Sequence, residues 1–192
     1  MGVRVTAMAK AAEPSLDDAT LVARARDGDI RAYEELVRRY QGPMYRLALR
    51  MLASAGDAED VVQDVFLTAW RRLPQLRQDA AFVGWLYRTT TNRCLNAIRA
   101  RRPVADVDPD TTETPRGDAR PEHAVEISAQ LAALTEALRT LTPEQRACWL
   151  LREVHGRTYE EIAAAVDGST TAVRGRIARA RAQLAEVMRP WQ

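Results

Sequence analysis

The sequence contains few of the residues on which catalysis, metal binding and covalent cross-linking usually depend. Its 192 residues include only two cysteines and two histidines. Cys94 and Cys148 have no CxxC or similar spacing, so we expect no metal site and no disulfide, and we expect both thiols to be buried. His123 and His155 are not accompanied by a cluster of carboxylates. The sequence therefore predicts neither an enzyme nor a cofactor-binding protein.

Long apolar runs and alternating patterns are also missing. No stretch approaches the ~18 apolar residues that a membrane-spanning helix needs, and no signal peptide is recognisable, so we expect no membrane insertion and a location in the reducing cytoplasm. Alternation with a period of two residues never extends over a useful length, whereas apolar residues recur at helical spacing almost throughout. The predicted fold class is all-α, with two small helical domains.

Lysine is almost absent, since only Lys10 among the 28 basic residues is not an arginine. The formal net charge is +2, which supports no electrostatic argument by itself, but the charge is unevenly placed. Residues 1–103 carry 17 basic and 12 acidic groups, residues 104–121 carry 2 and 5, and residues 122–192 carry 9 of each. Positive charge is therefore concentrated in the first half of the chain.

Proline clusters where the chain changes character. Residues 1–15 have no helical pattern and are predicted to be a loose tail. Helical signals run over 16–102, the first predicted domain, and resume over 122–192, the second. Between them, residues 103–121 alternate prolines with Asp, Thr and Gly and form no apolar face, which predicts an acidic flexible linker.

Two local features modify the helices of the first domain. Gly42-Pro43 lies inside the helix predicted over residues 30–53 and is expected to bend or break it. Asp57 is expected to cap the helix that follows.

The sequence does contain a two-helix pattern near its C-terminal end. Thr158 with Glu161 three residues later is a capping box that starts a short helix. Earlier in the same domain, Thr142-Pro143-Glu144-Gln145 is also a helix start, with a cap, a proline in the first turn and a reciprocal Gln. Asp167-Gly168-Ser169 marks a tight turn, and arginines recur along the segment after it. This is the order of a helix-turn-helix, which places its second helix in the major groove of DNA. An ordinary helical hairpin with a solvated arginine face is the alternative interpretation.

The second helix of this pattern has two dissimilar faces. At about 100° per residue, Val173, Ile177, Ala180 and Leu184 form one apolar stripe, whereas the residues opposite are small. Small side chains let a helix enter a groove, and flanking guanidinium groups can reach phosphates or guanine edges. The residues predicted from these faces to meet DNA are Thr171, Arg174, Gly175, Ala178 and Arg179.

A second basic cluster lies on the helix predicted over residues 80–101. Arginines bind phosphates, and asparagines and aromatic residues can read or stack on unpaired bases. The alternative is that the tryptophan belongs to the core and the arginines are solvated, but the helical spacing of two asparagines favours nucleic acid. The residues predicted to bind it are Trp85, Arg88, Asn92, Asn96, Arg99, Arg101 and Arg102.

An acidic helix precedes this basic one. Asp57, Glu59 and Asp60 lie near its N-terminus, where the helix dipole favours negative charge. That explanation does not reach Asp64, which lies further along. The pattern favours docking onto a basic protein surface. The predicted docking residues are Asp60, Gln63, Asp64 and Leu67.

Taken in order, these segments resemble the extracytoplasmic-function (ECF) sigma factors, the minimal two-domain class of bacterial sigma factors. The resemblance covers roughly residues 16–188 and is carried by segments 57–66, 82–92, 141–146 and 159–163. It implies that the acidic helix binds the clamp helices of the β′ subunit of core RNA polymerase. It also implies that the second domain touches the β flap, and that an anti-sigma factor is a partner.

The resemblance further implies two contacts with promoter DNA. The helix over 80–101 and the loop over 73–79 would melt and capture the −10 element, with Asn92 lining a pocket for a flipped base. The helix-turn-helix would read the −35 element with Arg174, Arg176 and Arg179. Leu76, Gly175 and Ala178 depart from the residues usual in the family, so we expect the promoter sequence to differ from those of relatives.

Two other functions fit part of the pattern. A dimeric helix-turn-helix repressor or activator would explain the C-terminal helices but leaves the acidic helix without a role. A helical enzyme would need a catalytic set of residues, and the sequence provides none.

Overall fold

The computed structural model describes residues 16–101 and 134–189. Every regular element in these two ranges is helical, which confirms the predicted all-α class. The predicted tail over 1–15, the predicted linker over 103–121 and Arg102 lie outside the described residues.

Four helices form the N-terminal part of the molecule. They are α1 (Asp18–Arg26), α2 (Ile30–Leu52), α3 (Ala55–Arg72) and α4 (Phe82–Ala100), and two short 3₁₀ turns, Leu73–Gln75 and Asp79–Ala81, connect α3 to α4.

Helix α2 is the centre of this part and packs against α1, α3 and α4. Leu36, Met44, Leu47 and Met51 project from it at helical spacing, and none has any exposed surface. Burying a side chain of this size stabilises the fold by about 1.5–3 kcal/mol. The central helix is therefore held mainly by the apolar contacts of its buried face.

Gly42-Pro43 was predicted to bend or break the helix, and no break occurs, since α2 continues through Pro43 without interruption. A proline inside a helix costs about 3 kcal/mol. Leu36 is fully buried on one side of the proline, and Met44 and Leu47 are fully buried on the other. Burial of these side chains exceeds the cost, so the helix persists.

The predicted cap of α3 is wrong, because Ser54 occupies the cap position and its hydroxyl accepts a hydrogen bond from the Asp57 amide at 3.4 Å. Ala53 ends α2 in the left-handed region, with φ of 51°. The chain changes direction at Ala53, and the extended residue Ser54 follows before α3 begins at Ala55. Asp57 lies in the first turn of α3 instead and forms an ion pair with Arg101.

The C-terminal part consists of shorter helices. Residues 134–140 are helical, and they are followed by α5 (Pro143–Trp149), a π-helical turn (Leu150–Val154), α6 (Tyr159–Ala165) and α7 (Thr170–Met188). Thr142 and Thr158 begin α5 and α6 with complete capping boxes, so both predicted helix starts are confirmed.

The two parts lie against one another. Helix α4 contacts α5 and α6, and α2 contacts α5. The sequence left this relative placement open.

Candidate nucleic-acid and protein interfaces

Helix α7 is positioned by its apolar stripe and by its cap. Val173, Ile177, Ala180 and Leu184 are at most 6% exposed, which confirms the predicted buried face. The Ser169 hydroxyl accepts a hydrogen bond from the Ala172 amide at 3.1 Å and begins the helix. The opposite face of α7 consequently points away from the core.

Most of the residues predicted to meet the −35 element lie on that outer face. Thr171, Arg174, Ala178 and Arg179 are exposed, and Gly175 is partly exposed. A Cβ added at position 175 would lie 3.4 Å from Arg179 Nη1, so the guanidinium of Arg179 covers this glycine. The small residue leaves space in which an arginine can lie close to the helix surface.

Arg174 and Arg176 are held differently. The guanidinium of Arg174 stacks over the Tyr159 ring at 5.1 Å from its centroid, which orients the charge, and no acid in the described ranges pairs with it. Arg176 is half-buried, and its Nη1 atom is enclosed without a hydrogen-bond partner in the described part of the chain. In this arrangement Arg176 is turned toward the helix-turn-helix turn near Gly168, unlike its neighbours.

A small cavity of about 210 Å³ lies where α3 ends and α4 begins. It combines an aromatic ring with hydrogen-bonding groups, a set that suits an unstacked base. Trp85 is the predicted site residue that contributes to it. The residues that line the cavity are Ala69, Arg72, Leu73, Gln75, Leu76, Arg77, Phe82 and Trp85.

The other predicted residues of α4 lie along the helix from this cavity. Arg88 Nη2 is 2.8 Å from Asp167 Oδ1, and Arg99 Nη2 is 3.5 Å from Glu144 Oε1. Asn96 is exposed and its Oδ1 accepts a hydrogen bond from Arg99 at 3.3 Å, whereas Asn92 is half-buried. Asn92 is not among the residues that line the cavity.

Arg93 of α4 and Arg101, which caps the end of α4, form ion pairs with acidic residues of α3. Arg101 pairs with Asp57 and donates to the Leu52 carbonyl at 3.4 Å. Arg93 Nη1 lies 2.7 Å from Asp64 Oδ2, and its Nη2 donates to the Thr68 hydroxyl at 2.8 Å. Intramolecular partners therefore already hold Arg101, a predicted DNA residue.

An apolar groove of about 740 Å³ runs between α2 and α3. Leu67 and Trp70 on its rim are 49% and 40% exposed, which is unusual for large apolar side chains. The Tyr33 ring lies 4.8 Å from the Trp70 ring, and the Tyr33 hydroxyl donates to the Phe66 carbonyl at 2.5 Å. The groove is therefore lined by ordered aromatic residues that contact solvent.

The predicted docking residues lie on or beside this groove. Gln63 and Leu67 line it, and Asp60 and Asp64 are exposed on α3. Sequence reasoning missed Tyr33 and Trp70. The signal for Trp70 was its spacing, because positions 63, 67 and 70 form a stripe offset from the buried residues of α3.

The described residues include no candidate metal site, and their two cysteines are buried. Residues 16–101 and 134–189 contain no group of three or more His, Cys, Asp and Glu that could hold a metal ion. Cys94 and Cys148 are buried as predicted, and burial raises the pKa of the Cys94 thiol to about 12. No helix within these ranges is both long and apolar enough to span a bilayer.

Two family models match the chain. Residues 36–104 match Sigma-70 region 2, and residues 131–184 match Sigma-70, region 4.

Known proteins are similar over almost the whole length. The RNA polymerase sigma-H factor of Pseudomonas aeruginosa is 35% identical, with 90% of this chain and 94% of the relative covered. The ECF RNA polymerase sigma-E factor of Escherichia coli K12 is 38% identical, with 91% and 96% covered.

Solved structures are similar as well. CnrH, solved in complex with the cytosolic domain of CnrY, has a TM-score of 0.70 and 30% identity, with 90% of this chain and 97% of that chain covered. RpoE, solved with the anti-sigma factor NepR from Bartonella quintana, has a TM-score of 0.66 and 20% identity, with 82% and 96% covered.

The helices, the helix-turn-helix and these similarities define the class: the chain belongs to the sigma-70 family of RNA polymerase sigma factors, which are transcription initiation factors. Within that family it is of the ECF type, which confirms the resemblance seen in the sequence.

Proposed function

We propose that this protein is the promoter-specificity subunit of a bacterial RNA polymerase, with no catalytic activity of its own, and that it acts in the cytoplasm. Residues 16–102 would form the domain that binds core polymerase and the −10 element, and residues 122–192 the domain that binds the −35 element. A linker over 103–121 would join them. One observation carries the proposal: three distinct candidate surfaces, on α7, beside α4 and between α2 and α3, occur in one chain.

Helix α7 reads the −35 element in the major groove. Its small outer face allows close approach, and Arg174 and Arg179 are placed to reach base edges or phosphates. Arg176 contributes less than its neighbours unless it turns outward, because its Nη1 atom is enclosed. Gly175 and Ala178 offer no hydrogen-bond donor, so base readout there is by shape and by methyl contact.

The cavity at the start of α4 holds a base of the melted −10 element. Unstacking a base costs a few kcal/mol, which stacking and hydrogen bonding in a pocket can offset. Trp85 supplies the aromatic surface, and Gln75 and Arg77 supply hydrogen-bonding groups. Asn92 and Asn96 lie about two and about three turns beyond Trp85 along α4, where the neighbouring nucleotides of the same strand would pass.

The groove between α2 and α3 docks on core polymerase. Its apolar floor fits one face of a helical hairpin such as the β′ clamp helices, and Asp60 and Asp64 beside it suit a basic rim on the partner. Contact of the C-terminal helices with the β flap completes the assembly in this proposal.

An anti-sigma factor is the expected regulator. CnrH, whose fold this chain shares at 30% identity, was solved with the cytosolic domain of CnrY. We expect an inhibitor of this chain to bind both domains, since both carry surfaces that the polymerase and promoter would need.

Run-off transcription tests the proposal. Promoters are first mapped from transcript starts after overexpression, and the purified chain is then added to core polymerase on those templates. Initiation should depend on the chain, and Asn92→Ala combined with Arg174→Ala should abolish start-site selection. Arg189→Ala is the matched control, because Arg189 is 72% exposed and lies beyond the end of α7. The proposal would be refuted if the unaltered chain gave no promoter-dependent transcript. It would also be refuted if the variant with Asn92→Ala and Arg174→Ala initiated at the same sites as the unaltered chain.

A further inference from the structure

Helix α1 ends with an arginine that reaches the loop between α3 and α4. Arg26 Nη1 donates to the Leu76 carbonyl at 3.1 Å and lies 2.6 Å from Asp79 Oδ1, while its Nη2 donates to Asp79 Oδ2 at 3.2 Å. A planar guanidinium that meets both oxygens of a carboxylate fixes the direction of the contact as well as its distance. One side chain of α1 therefore holds the loop at two points, 50 and 53 residues away in the chain.

The two points lie on either side of the exposed tip of the loop. The Leu76 amide donates to the Leu73 carbonyl at the end of the first 3₁₀ turn, and the Ala81 amide donates to the Gln78 carbonyl in the second. Leu76 and Gln78 are both extended, and Arg77 and Gln78 are exposed. The guanidinium from α1 thus joins the end of one turn to the start of the other.

This loop forms one wall of the cavity that would hold a base of the −10 strand. Gln75, Leu76 and Arg77 all line the cavity, whereas Arg26 is not among its lining residues. The hydrogen bond to the Leu76 carbonyl fixes the main chain from which the two polar side chains on either side of it project. Arg26 is consequently placed to act on the cavity through the loop and not through the base.

The helix that carries Arg26 is itself fixed at its end. Leu21, Val22 and Ala25 of α1 are at most 3% exposed. Gly28 adopts φ of 96°, and its amide donates to the Ala25 carbonyl at 3.1 Å, which closes the last turn. Arg26 lies in this turn, where the helix dipole favours a positive charge. The guanidinium therefore projects toward the loop from a rigid element.

The carboxylate of Asp79 depends on this pairing. Its Oδ1 atom has essentially no exposed surface. Removing a carboxylate oxygen from water is costly unless a cation or a hydrogen bond compensates it. When Arg26 is lost, we expect Asp79 to turn toward solvent and toward the phosphates of a strand bound nearby. The ion pair thus fixes the loop and directs a negative charge away from DNA.

We propose that Arg26 is a positioning residue for base recognition at −10, which sets the shape of the cavity by holding the loop at Leu76 and Asp79 without touching DNA. The inference rests on the proposed function, since it concerns how the same cavity selects its base. Arg26 precedes residues 36–104, which match Sigma-70 region 2, so the role falls to a residue outside the matched segment.

Binding of forked promoter DNA to the holoenzyme tests this role. The templates are the mapped promoters with the −10 strand unpaired, and they differ at one −10 base at a time. The unaltered chain should prefer one base. Arg26→Lys keeps the charge but lacks the fork that reaches two acceptors, so it should reduce that preference about fivefold, the lower end of the cost of ordering the backbone of one residue. Affinity for the disfavoured bases should change little, since they do not use the polar groups of the loop.

Asp79→Asn distinguishes positioning from simple electrostatics. If charge alone mattered, removing an acid beside DNA would tighten binding, because less repulsion would oppose the phosphates. Positioning predicts the opposite sign, with weaker binding and a smaller base preference. The double variant Arg26→Lys with Asp79→Asn should lose no more preference than the more affected single variant, because both substitutions break the same contact.

Two controls identify other causes of a loss. Arg24→Gln removes a different ion pair of the same helix, with Asp29 at 2.7 Å, and should leave the base preference unchanged. Arg26→Gln removes the charge, and the slope of log affinity against log salt should stay the same, because no phosphate contact is lost. A direct phosphate contact would instead reduce the slope by about 0.9.

Several results would overturn the positioning role and leave the proposed function intact. They are an unchanged base preference in Arg26→Lys, tighter binding by Asp79→Asn, a smaller salt slope in Arg26→Gln, and an equal loss of preference in Arg24→Gln. A holoenzyme with the unaltered chain that prefers no base at any −10 position would overturn the proposed function, and this inference with it.

Discussion

The two parts of this molecule are built by different means. The N-terminal helices surround α2, whose large apolar side chains are fully buried, and they tolerate a proline in the middle of that helix. The C-terminal part uses helices as short as seven residues, and two of them begin with complete capping boxes. Isolated helices of that length are unstable in water. The first part is therefore stabilised mainly by its core, and the second depends to a larger degree on polar bonds at helix ends.

The way in which each part is stabilised determines where it has an exposed surface for binding. A core that closes around α2 leaves the outer edges of α2 and α3 free to form the apolar groove with Leu67 and Trp70. The capped short helices instead fix the direction of α7, because the turn between α6 and α7 has little freedom. Docking onto a protein suits the first arrangement, and reading a groove of DNA suits the second.

The largest effect should come from the core of the N-terminal part. Leu47→Ala removes a fully buried side chain from α2 and should lower the free energy of unfolding by about 2–5 kcal/mol. Urea unfolding followed by circular dichroism measures it. Leu67→Ala is the control with the same chemistry at a 49% exposed position, and it should leave stability within about 0.5 kcal/mol. Equal losses in the two variants would contradict the division between core and groove.

Next in size is the effect of the groove on polymerase binding. Leu67→Ala with Trp70→Ala should weaken binding to core polymerase by about 2–4 kcal/mol, as for the central residues of other protein interfaces. Titration with labelled core enzyme measures the affinity. The −35 duplex should bind the variant as well as it binds the unaltered chain. A loss of both activities would mean that the fold, and not the groove, had been changed.

A smaller effect is expected from a helix end in the C-terminal part. The Thr158 hydroxyl accepts a hydrogen bond from the Glu161 amide at 3.2 Å, and Thr158→Ala should destabilise α6 by about 1 kcal/mol. Hydrogen exchange of the α6 amides should accelerate by roughly fivefold while exchange in α2 stays unchanged. Thr171→Ala, at an exposed position of α7, provides the control. Uniform acceleration in both parts would show that the two parts unfold as one unit.

The smallest effect concerns the pH dependence of stability that His155 causes, at its contact with Tyr87 between the two parts. Burial lowers the pKa of His155 to about 4, and nearby arginines act in the same direction. The neutral imidazole is therefore favoured in the folded chain, so the unfolded chain takes up the proton first as the pH falls below about 6.5. The groups facing this histidine are Tyr87 of α4, Arg46 and Arg50 of α2, and Arg157.

Stability is expected to be constant above pH 6.5 and to decrease from there toward pH 4. The slope should stay well below 1.4 kcal/mol per pH unit, because the imidazole is only partly buried and solvent screens it. Urea unfolding between pH 4 and 7 measures the slope, and His155→Gln should reduce it. An unchanged slope in that variant would assign the pH dependence to other groups.

Features that depend on local spacing were predicted better than features that depend on how the helices pack. The capping boxes at Thr142 and Thr158 and the buried stripe of α7 were predicted and are confirmed. Of the bend or break predicted at Pro43, the break does not occur, because side chains on both flanks are buried, which the local pattern did not reveal. The DNA and polymerase contacts of single residues remain predictions. Among these residues, Trp85 lines the cavity, and Gln63 and Leu67 line the groove.

The sequence by itself determined the helices, their caps and the face that each one buries, because these depend on residues within about four positions of each other. It also determined the family, through motifs in a fixed order. Only the tertiary structure decided that Tyr33 meets Trp70, that Arg176 turns inward, and that Arg88 is bonded to Asp167, 79 residues away in the chain. Such pairs depend on how whole helices pack, and no local spacing encodes them.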